Sequence, residues 1–216
     1  MFVILKEFFP VGPLQCNCIL IACDETNEAI VIDPGDDAEK ILDIAKSLDV
    51  QIKKILHTHA HFDHIGATKA IHEATNAIRY LHESDLFMYQ NVAMQGSLFG
   101  ITVEDPGEVE EFLQDQQEIS FGNCSCQTIH TPGHSPGSCC FMFKEAKLLS
   151  SGDTLFQQSI GRTDLWGGDL EQLKSSIREK LYCLPEDTLV IPGHGPTTEI
   201  SFEKINNSFV PEKDVF

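Results

Sequence analysis

Residues 57–64, with the sequence HTHAHFDH, constrain the fold of this chain more than any other segment. Apolar residues 52–56 predict a short buried strand before it, and residues 65–71 predict the start of a helix after it. The turn between them carries four potential metal ligands: His59, His61, Asp63 and His64. A tag or a loose surface segment can also be rich in histidine, but an internal position between apolar runs matches neither. Three imidazoles and one carboxylate this close together are suited to two divalent metal ions rather than one.

Three later segments each place one more potential ligand directly after an apolar strand. Proline and glycine on both sides hold His134 in a tight loop, Asp153 ends an apolar run, and His194 lies between two glycines. Taken singly, each is equally well an ordinary turn residue or helix cap. Because strand ends gather at one edge of a sheet, the shared arrangement predicts that these residues meet the first cluster.

The order of these motifs resembles the metallo-β-lactamase superfamily, in which His-x-His-x-Asp-His is followed by a single His, a single Asp and a last His. The resemblance runs from residues 11–15 and 30–35 to residues 192–196. It implies an α/β fold, the αβ/βα four-layer sandwich of that superfamily, with two mixed β-sheets flanked by helices. The ligands would then line a groove at one edge of the two sheets.

Within the superfamily the chain is most similar to the hydroxyacylglutathione hydrolases, also called glyoxalase II, in their short single-domain form. Residues 152–156, 160–164 and 192–198 carry this closer match. The resemblance implies that His59, His61 and His134 hold one metal ion, that Asp63, His64 and His194 hold another, and that Asp153 bridges both. It implies two divalent ions, with zinc favoured and iron or manganese as alternatives. His57, His72, His82 and His130 fall outside this pattern.

The ligand set predicts the chemistry. Two metal ions roughly 3.5–4 Å apart lower the pKa of a water held between them and polarise a substrate carbonyl. We therefore expect a bridging hydroxide to attack a thioester carbonyl, with Asp153 and Asp63 as the catalytic carboxylates and Asp63 also orienting the hydroxide. The resemblance to the hydroxyacylglutathione hydrolases implies that the substrate is a small-molecule thioester derived from glutathione, such as S-D-lactoylglutathione. Asp33 is either a carboxylate that orients a ligand histidine or a turn residue before Pro34.

The sequence indicates the substrate-binding residues less clearly than the metal ligands. The chain ends soon after His194, so we expect no C-terminal helical extension of the kind that contacts glutathione in the long hydrolases. Arg162 follows Asp153 where those relatives place a basic residue toward the glycine carboxylate of glutathione, which makes it the candidate substrate-binding residue. Its alternative is an ordinary exposed arginine that pairs with Asp164.

Three other functions are compatible with these residues. A persulfide dioxygenase, also found in the superfamily, would hold a single iron through residues corresponding to His59, His134 and Asp153. A hydrolase of β-lactams, lactones or other esters has no dedicated sequence feature. A non-catalytic metal-binding protein is disfavoured because no ligand has been lost from the set.

Composition and net charge limit the kinds of binding partner that we expect. The chain has 216 residues, 42% of them hydrophobic, which is enough for one large core, and we expect a single domain over residues 1–216. Fifteen basic and 33 acidic residues give a formal charge of −18, which disfavours nucleic-acid binding. Since no segment has the pattern of a signal peptide or a membrane span, we expect a cytoplasmic protein with no membrane contact, as a monomer or small homo-oligomer. The eight cysteines predict free thiols, mostly in apolar strands.

Hydrophobic periodicity and turn residues predict the secondary structure. Strands are expected near residues 2–9, 17–23, 28–33, 52–57, 77–82, 117–121, 124–130, 138–144, 147–152 and 187–192. Helices are expected near residues 37–48, 65–75, 83–94, 169–183 and 198–206.

Overall fold

Two six-stranded sheets form the centre of the computed structural model, which describes residues 4–211. The first sheet contains β1 Ile4–Val11, β2 Cys16–Cys23, β3 Glu28–Ile32, β4 Gln51–Leu56, β5 Ile78–His82 and β6 Glu111–Leu113. The second contains β7 Glu118–Phe121, β8 Cys124–His130, β9 Cys139–Phe143, β10 Leu148–Gly152, β13 Leu189–Pro192 and β14 Thr198–Glu199. A separate short hairpin consists of β11 Leu155–Phe156 and β12 Ser159–Ile160.

Both sheets are mixed. The first has the order β1-β2-β3-β4-β5-β6, with β1 to β3 antiparallel and β3 to β6 parallel. The second has the order β14-β13-β10-β9-β8-β7, in which β10 and β13 are the parallel pair. Parallel neighbours end at the same edge of a sheet, so the segments that follow β4, β10 and β13 are brought together.

The central strands are apolar on both faces, as expected for strands covered on both sides. In β2, Ile19 and Ile21 point into the core between the two sheets, where they join Phe141 and Phe143 of β9. The alternate residue Leu20 points the other way, into the cluster formed with the outer helices. This alternation follows from the two-residue period of a strand.

Helices cover the outer face of each sheet. The helices are α1 Ala38–Ser47, α2 Phe62–Ile65, α3 Thr68–Thr75, α4 Leu86–Gln90, α5 Val92–Leu98, α6 Leu170–Ser176 and α7 Ile200–Asn206. Ile41 of α1 and Ile71 of α3 pack on the first sheet, whereas Leu173 of α6 and Ile200 of α7 pack on the second. Within the part of the chain described, no helix is long and apolar enough to cross a lipid bilayer.

The predicted fold class, an α/β sandwich of two mixed sheets flanked by helices, is confirmed. All ten predicted strands are present within two residues of their predicted bounds, although residues 2 and 3 of the first lie outside the described residues. The short strands β6, β11, β12 and β14 were not predicted. All eight cysteines are free, as expected, and Cys183 is the exposed one.

Three of the predicted helices are interrupted. The helix expected over 65–75 is divided into α2 and α3 because the Ala67 N–H donates to the Pro34 carbonyl (2.9 Å) and Gly66 lies against the backbone of Gly35. The helix expected over 83–94 starts as a 3₁₀ turn and breaks again at Asn91, between α4 and α5. The helix expected over 169–183 changes to a π turn over Ile177–Leu181. Tertiary contacts override the helical period at these points.

Candidate metal centre

The four ligands of the first cluster lie on the turn that joins β4 to α2. His59 and His61 precede α2, and Asp63 and His64 form its first turn. Gly35 lets this turn approach closely, because a Cβ atom there would lie 1.7 Å from the carbonyl oxygen of Asp63. The strand-to-helix turn predicted from the sequence is therefore present, packed against the backbone that follows β3.

The second sheet contributes the other three residues. His134 lies in the loop between β8 and β9, Asp153 follows β10, and His194 follows β13. Backbone hydrogen bonds join the two sheets at this edge: Cys139 N–H donates to the Thr58 carbonyl (2.7 Å), and Asn17 N–H donates to the Gly193 carbonyl (2.7 Å). All seven predicted ligands thus meet at one edge of the sandwich.

Their side chains form three overlapping groups that could each hold a metal ion, with ligand atoms in each group within 4.8 Å of one another. The groups are His59, His61 and His134; His59, His64 and Asp153; and Asp63, His64 and His194. Asp153 links them, because Oδ2 lies 3.6 Å from His134 Nε2 and Oδ1 lies 3.5 Å from His64 Nε2.

Hydrogen bonds to the outer ring nitrogens fix how the imidazoles are protonated. The Nδ1 atoms of His134 and His194 lie 2.8 and 3.0 Å from the carbonyl oxygens of Arg162 and Leu14. Since a carbonyl oxygen only accepts, each Nδ1 carries the hydrogen, and in the neutral ring Nε2 presents a lone pair to the centre. His64 Nδ1 lies 3.0 Å from Asp33 Oδ2 and follows the same rule.

The inner ring nitrogens face one another at short range. His134 Nε2 lies 3.2 Å from His59 Nε2 and 3.0 Å from His61 Nδ1, and His64 Nε2 lies 3.2 Å from His194 Nε2. Where both nitrogens of a pair are unprotonated they repel each other, and a cation between them, a proton or a metal ion, removes this repulsion. In the described region, Asp153 Oδ1 is moreover buried without a hydrogen-bond partner. A cation beside this oxygen would offset the cost of its burial, and the mixture of imidazole and carboxylate donors fits divalent metal ions.

The pKa shifts agree with this arrangement. Burial is the main cause that lowers the pKa of His59 well below its ordinary value and that of His61 to about 3, so both rings are neutral at pH 7. Burial also opposes charge on His64, but Cys16, Asp153 and Asp63 outweigh it and raise the pKa of His64. The carboxylates therefore create a negative potential that favours any cation, either a proton or a metal ion.

Asp33 lies beneath this centre. Its side chain is 2% exposed and accepts hydrogen bonds from Thr58 N (2.7 Å), Thr58 Oγ1 (2.6 Å) and His64 Nδ1 (3.0 Å). The Thr58 hydroxyl also lies 3.0 Å from His59 Nδ1. Because the hydroxyl hydrogen is directed to Asp33, Thr58 Oγ1 accepts in this second contact and His59 Nδ1 donates. One carboxylate thus orients two of the candidate ligand rings.

Sequence patterns did not reveal Asp85. This buried carboxylate accepts from Ala60 N (3.1 Å), Ser135 Oγ (2.7 Å) and Gly137 N (2.6 Å), and so connects the turn after β4 to the loop of His134. Burial raises its pKa. An isolated acidic residue before an apolar helix gives no sign of this contact, because its partners are distant in sequence.

The histidines outside the motif lie outside the centre. His57 is buried, contacts Thr68 Oγ1 at 2.9 Å and has its pKa lowered by burial to about 4. His82 and His130 stack on each other, with ring centroids 4.0 Å apart. His72 Nδ1 contacts the carbonyl of Ala77 at 3.0 Å.

Arg162 borders the cavity at the centre but already has a partner. Its Nε and one terminal nitrogen donate to the two carboxylate oxygens of Asp164 at 2.7 and 2.8 Å. The ion pair with Asp164 that the sequence also suggested is therefore present, and the role of Arg162 in substrate binding stays a prediction. The guanidinium still lines a cavity of about 540 Å³ that also contains His61, His134 and Asp153.

Comparison with known proteins agrees with this geometry. Residues 11–194 match the Metallo-beta-lactamase superfamily. The chain is 41% identical to "Probable metallo-hydrolase YqgX" of Bacillus subtilis, with 93% of this chain and 95% of that protein covered. It is 39% identical to "Hydroxyacylglutathione hydrolase GloC" of Haemophilus influenzae, with coverage of 96% and 98%.

Solved structures are similar over nearly the whole chain. The BLEG-1 B3 metallo-beta-lactamase has a TM-score of 0.90 at 40% identity and covers 95% of this chain and 99% of its own. TTHA1623, solved in a di-iron-bound form, has a TM-score of 0.87 at 38% identity, with coverage of 94% and 99%. ETHE1 from Myxococcus xanthus has a TM-score of 0.79 at 27% identity, with coverage of 97% and 86%. On its sequence, its fold and its cluster of histidine and aspartate side chains, this chain belongs to the metallo-beta-lactamase superfamily.

Proposed function

We propose that this chain is a metal-dependent hydrolase of thioesters, and that glutathione thioesters such as S-D-lactoylglutathione are among its substrates. The observation that carries the proposal is the convergence of seven donor side chains. In four of them, His59, His64, His134 and His194, the outer ring nitrogen is hydrogen-bonded, so that the inner nitrogen of the neutral ring can bind a cation. A complete donor set opening into a cavity is typical of a catalytic rather than a structural metal centre. The relatives named as metallo-hydrolases support the same class.

The proposed ligands divide between two divalent ions. His59, His61 and His134 would hold one, Asp63, His64 and His194 the other, and Asp153 both. Zinc suits this mixture of nitrogen and oxygen donors, and so does iron, which the similar TTHA1623 holds as a pair. When bound, such ions supply a water of lowered pKa and polarise the carbonyl to be attacked.

Asp63 is the side chain that we propose to orient the attacking water. Its carboxylate is 15% exposed toward the cavity and lies 3.2 Å from His194 Nε2. Burial would raise its pKa, but His64 and His194 outweigh burial and hold the pKa of Asp63 well below its ordinary value. An ionised carboxylate accepts a hydrogen bond from the water molecule, and this bond directs a lone pair of the water oxygen toward the carbonyl.

The first test is the steady-state hydrolysis of S-D-lactoylglutathione by purified protein whose metal content is measured on the same sample. Turnover that disappears with a chelator and returns with added zinc or iron would support the proposal. If a protein with two ions per chain hydrolysed neither this nor any other thioester, the proposal would be wrong.

A second candidate is a persulfide dioxygenase with a single iron. TTHA1623 was solved in a di-iron-bound form, so a similar chain of this fold does bind iron, and ETHE1 shares the fold. Here His59, His134 and Asp153 would be the iron ligands. Oxygen uptake with glutathione persulfide by the iron-loaded protein distinguishes this activity from hydrolysis.

Arg162→Ala tests whether the arginine binds substrate. If the guanidinium contacts a carboxylate of glutathione, KM for S-D-lactoylglutathione should rise about tenfold, as expected for one charge-assisted hydrogen bond, while KM for a neutral thioester changes little. Asp164→Ala is the matched control, because it removes the present partner of Arg162 and should lower KM for the anionic substrate. Equal effects of Arg162→Ala on both substrates would mean that the arginine has only its structural ion pair.

A further inference from the structure

The cavity beside the candidate metal centre has one strongly apolar side, which we call the apolar wall. It consists of Phe62, Phe87, Met94, Leu98, Phe99 and Trp166. Five of these side chains are more than half exposed, from 54% for Phe99 to 81% for Leu98. Exposed large apolar side chains that are contiguous usually mark a binding site, because single ones scattered over a surface are the ordinary case.

Two aromatic pairs give the wall a defined shape. The rings of Phe87 and Trp166 lie 5.2 Å apart, and those of Phe62 and Phe99 lie 5.1 Å apart. The first pair joins α4 to the loop that follows Arg162, and the second joins α2 to the residue after α5. Contacts between elements hold these rings in place, so the wall exists before any ligand binds.

Two polar side chains, Asn91 and Gln95, also line the cavity, and their amide nitrogens donate to backbone carbonyls. The Gln95 amide nitrogen donates to the carbonyls of Ala60 (3.0 Å) and Met88 (2.8 Å), which uses both of its N–H groups. The Asn91 amide nitrogen donates to the carbonyl of Phe87 at 2.7 Å. The helices α4 and α5 therefore offer a ligand mainly apolar surface.

The charges at the cavity do not suit an acidic group on this side. Among the lining residues that the structure describes, Arg162 is the single arginine and there is no lysine. Its guanidinium is already paired with Asp164, whereas two carboxylates, Asp63 and Asp153, also line the cavity. A ligand group beside the wall would gain by leaving water and find no further cation.

We infer that the apolar wall binds the acyl group of the substrate, and that the preferred thioester carries a large apolar acyl group rather than one as small and polar as lactoyl. This inference rests on the proposed thioester hydrolysis. The acyl half is assigned to the wall because the other half, glutathione, is charged and gains nothing from an apolar surface. A carboxylate of glutathione would instead replace Asp164 as the partner of Arg162. Continuity of the wall with the candidate metal centre argues for a substrate, since both line the same cavity of about 540 Å³.

The test compares two series of thioesters with the metal-loaded protein. In the first, glutathione carries acetyl, butyryl, hexanoyl or octanoyl, and we expect kcat/KM to rise about threefold for each added CH₂ group that the wall covers. S-D-lactoylglutathione should be among the slow substrates. In the second series, acetyl is constant and the thiol is lengthened from ethanethiol to octanethiol, with no matching rise expected.

Variants of the wall sharpen the comparison. Trp166→Ala and Met94→Gln should each lower kcat/KM for the octanoyl thioester about tenfold more than for the acetyl thioester, because part of the acyl contact is removed. Phe209→Ala is the matched control, since Phe209 is also exposed (52%) but does not line this cavity. It should not change the ratio between the two substrates.

The failures are distinguishable. A flat acyl series, or a rise confined to the thiol series, would overturn the inference and leave the proposed hydrolysis in place. The inference would also be overturned if sedimentation velocity showed a stable dimer that Trp166→Ala dissociates, because the wall would then be a subunit interface. Absence of hydrolysis in both series, with two ions per chain, would overturn the proposed function itself.

Discussion

Replacing Asp153 with alanine should lower kcat/KM for thioester hydrolysis by about 10³-fold or more, because several kcal/mol of transition-state stabilisation depend on the proposed metal pair. Asp153 is the carboxylate whose two oxygens face both groups of histidines, at 3.6 and 3.5 Å from His134 Nε2 and His64 Nε2. Without it, neither proposed ion keeps its full set of ligands. Metal analysis should accordingly show less than two ions per chain.

The same substitution should leave the metal-free fold intact. Asp153 Oδ1 has no hydrogen-bond partner in the described part of the chain, so its removal breaks no hydrogen bond at this atom. What the metal-free protein loses is the attraction between this carboxylate and His64. A cooperative unfolding transition should therefore persist in chelator, with a thermal midpoint at most about 4 °C below that of the parent protein, the shift expected for about 1 kcal/mol in a chain of this size. Asp187→Ala, which removes an exposed carboxylate paired with Lys147, serves as the control and should keep full activity. Normal turnover by Asp153→Ala at normal metal content would contradict the assignment.

Asp33→Asn should weaken metal binding about 10- to 100-fold, the range found when a partner that orients a metal ligand is lost. If the new amide keeps its oxygen toward Thr58 N–H, its nitrogen faces His64 Nδ1 and donates to it. His64 would then carry its hydrogen on Nε2, the atom proposed to bind the metal. The ring keeps its position but presents the wrong tautomer.

Titration of the metal-free variant with zinc measures this effect directly, and activity restored by excess zinc would support it. Glu203→Gln is the matched control, because Glu203 is also a fully buried carboxylate with three hydrogen-bond donors but lies away from the centre. It should lower stability without changing zinc affinity. If both variants lost affinity equally, Asp33 would contribute only to folding.

Much of the centre was predictable because turn residues mark the positions of the ligands in the sequence. Apolar strands followed by proline, glycine and a lone His or Asp mark the ends of strands, and the parallel pairs β3–β4 and β10–β13 bring such ends to one edge. The positions of His134, Asp153 and His194 next to the first cluster follow from that rule. Their roles as metal ligands stay a prediction until metal binding is measured.

Other features depend on contacts that the local sequence does not encode. The breaks in the helices after His64 and at Asn91 follow from packing against Gly35 and from the turn between α4 and α5. The connection made by Asp85 and the apolar wall both require knowing which distant segments meet. Phe87 and Trp166 form a pair because α4 and the loop after Arg162 border the same cavity. Periodicity alone would assign such residues to the surface or the core.

The division of the proposed ligands between the two sheets links metal binding to folding. The turn after β4 supplies four of them and the second sheet supplies three, so the complete centre exists only when the sheets are packed together. An ion that binds only this assembled state at 100 times its dissociation constant stabilises it by about 2.7 kcal/mol. Core substitutions between the sheets, such as at Phe141, should therefore lower the apparent affinity for metal although the substituted residue is not itself a ligand. The metal concentration at which this protein becomes fully loaded would then depend partly on the packing of its hydrophobic core.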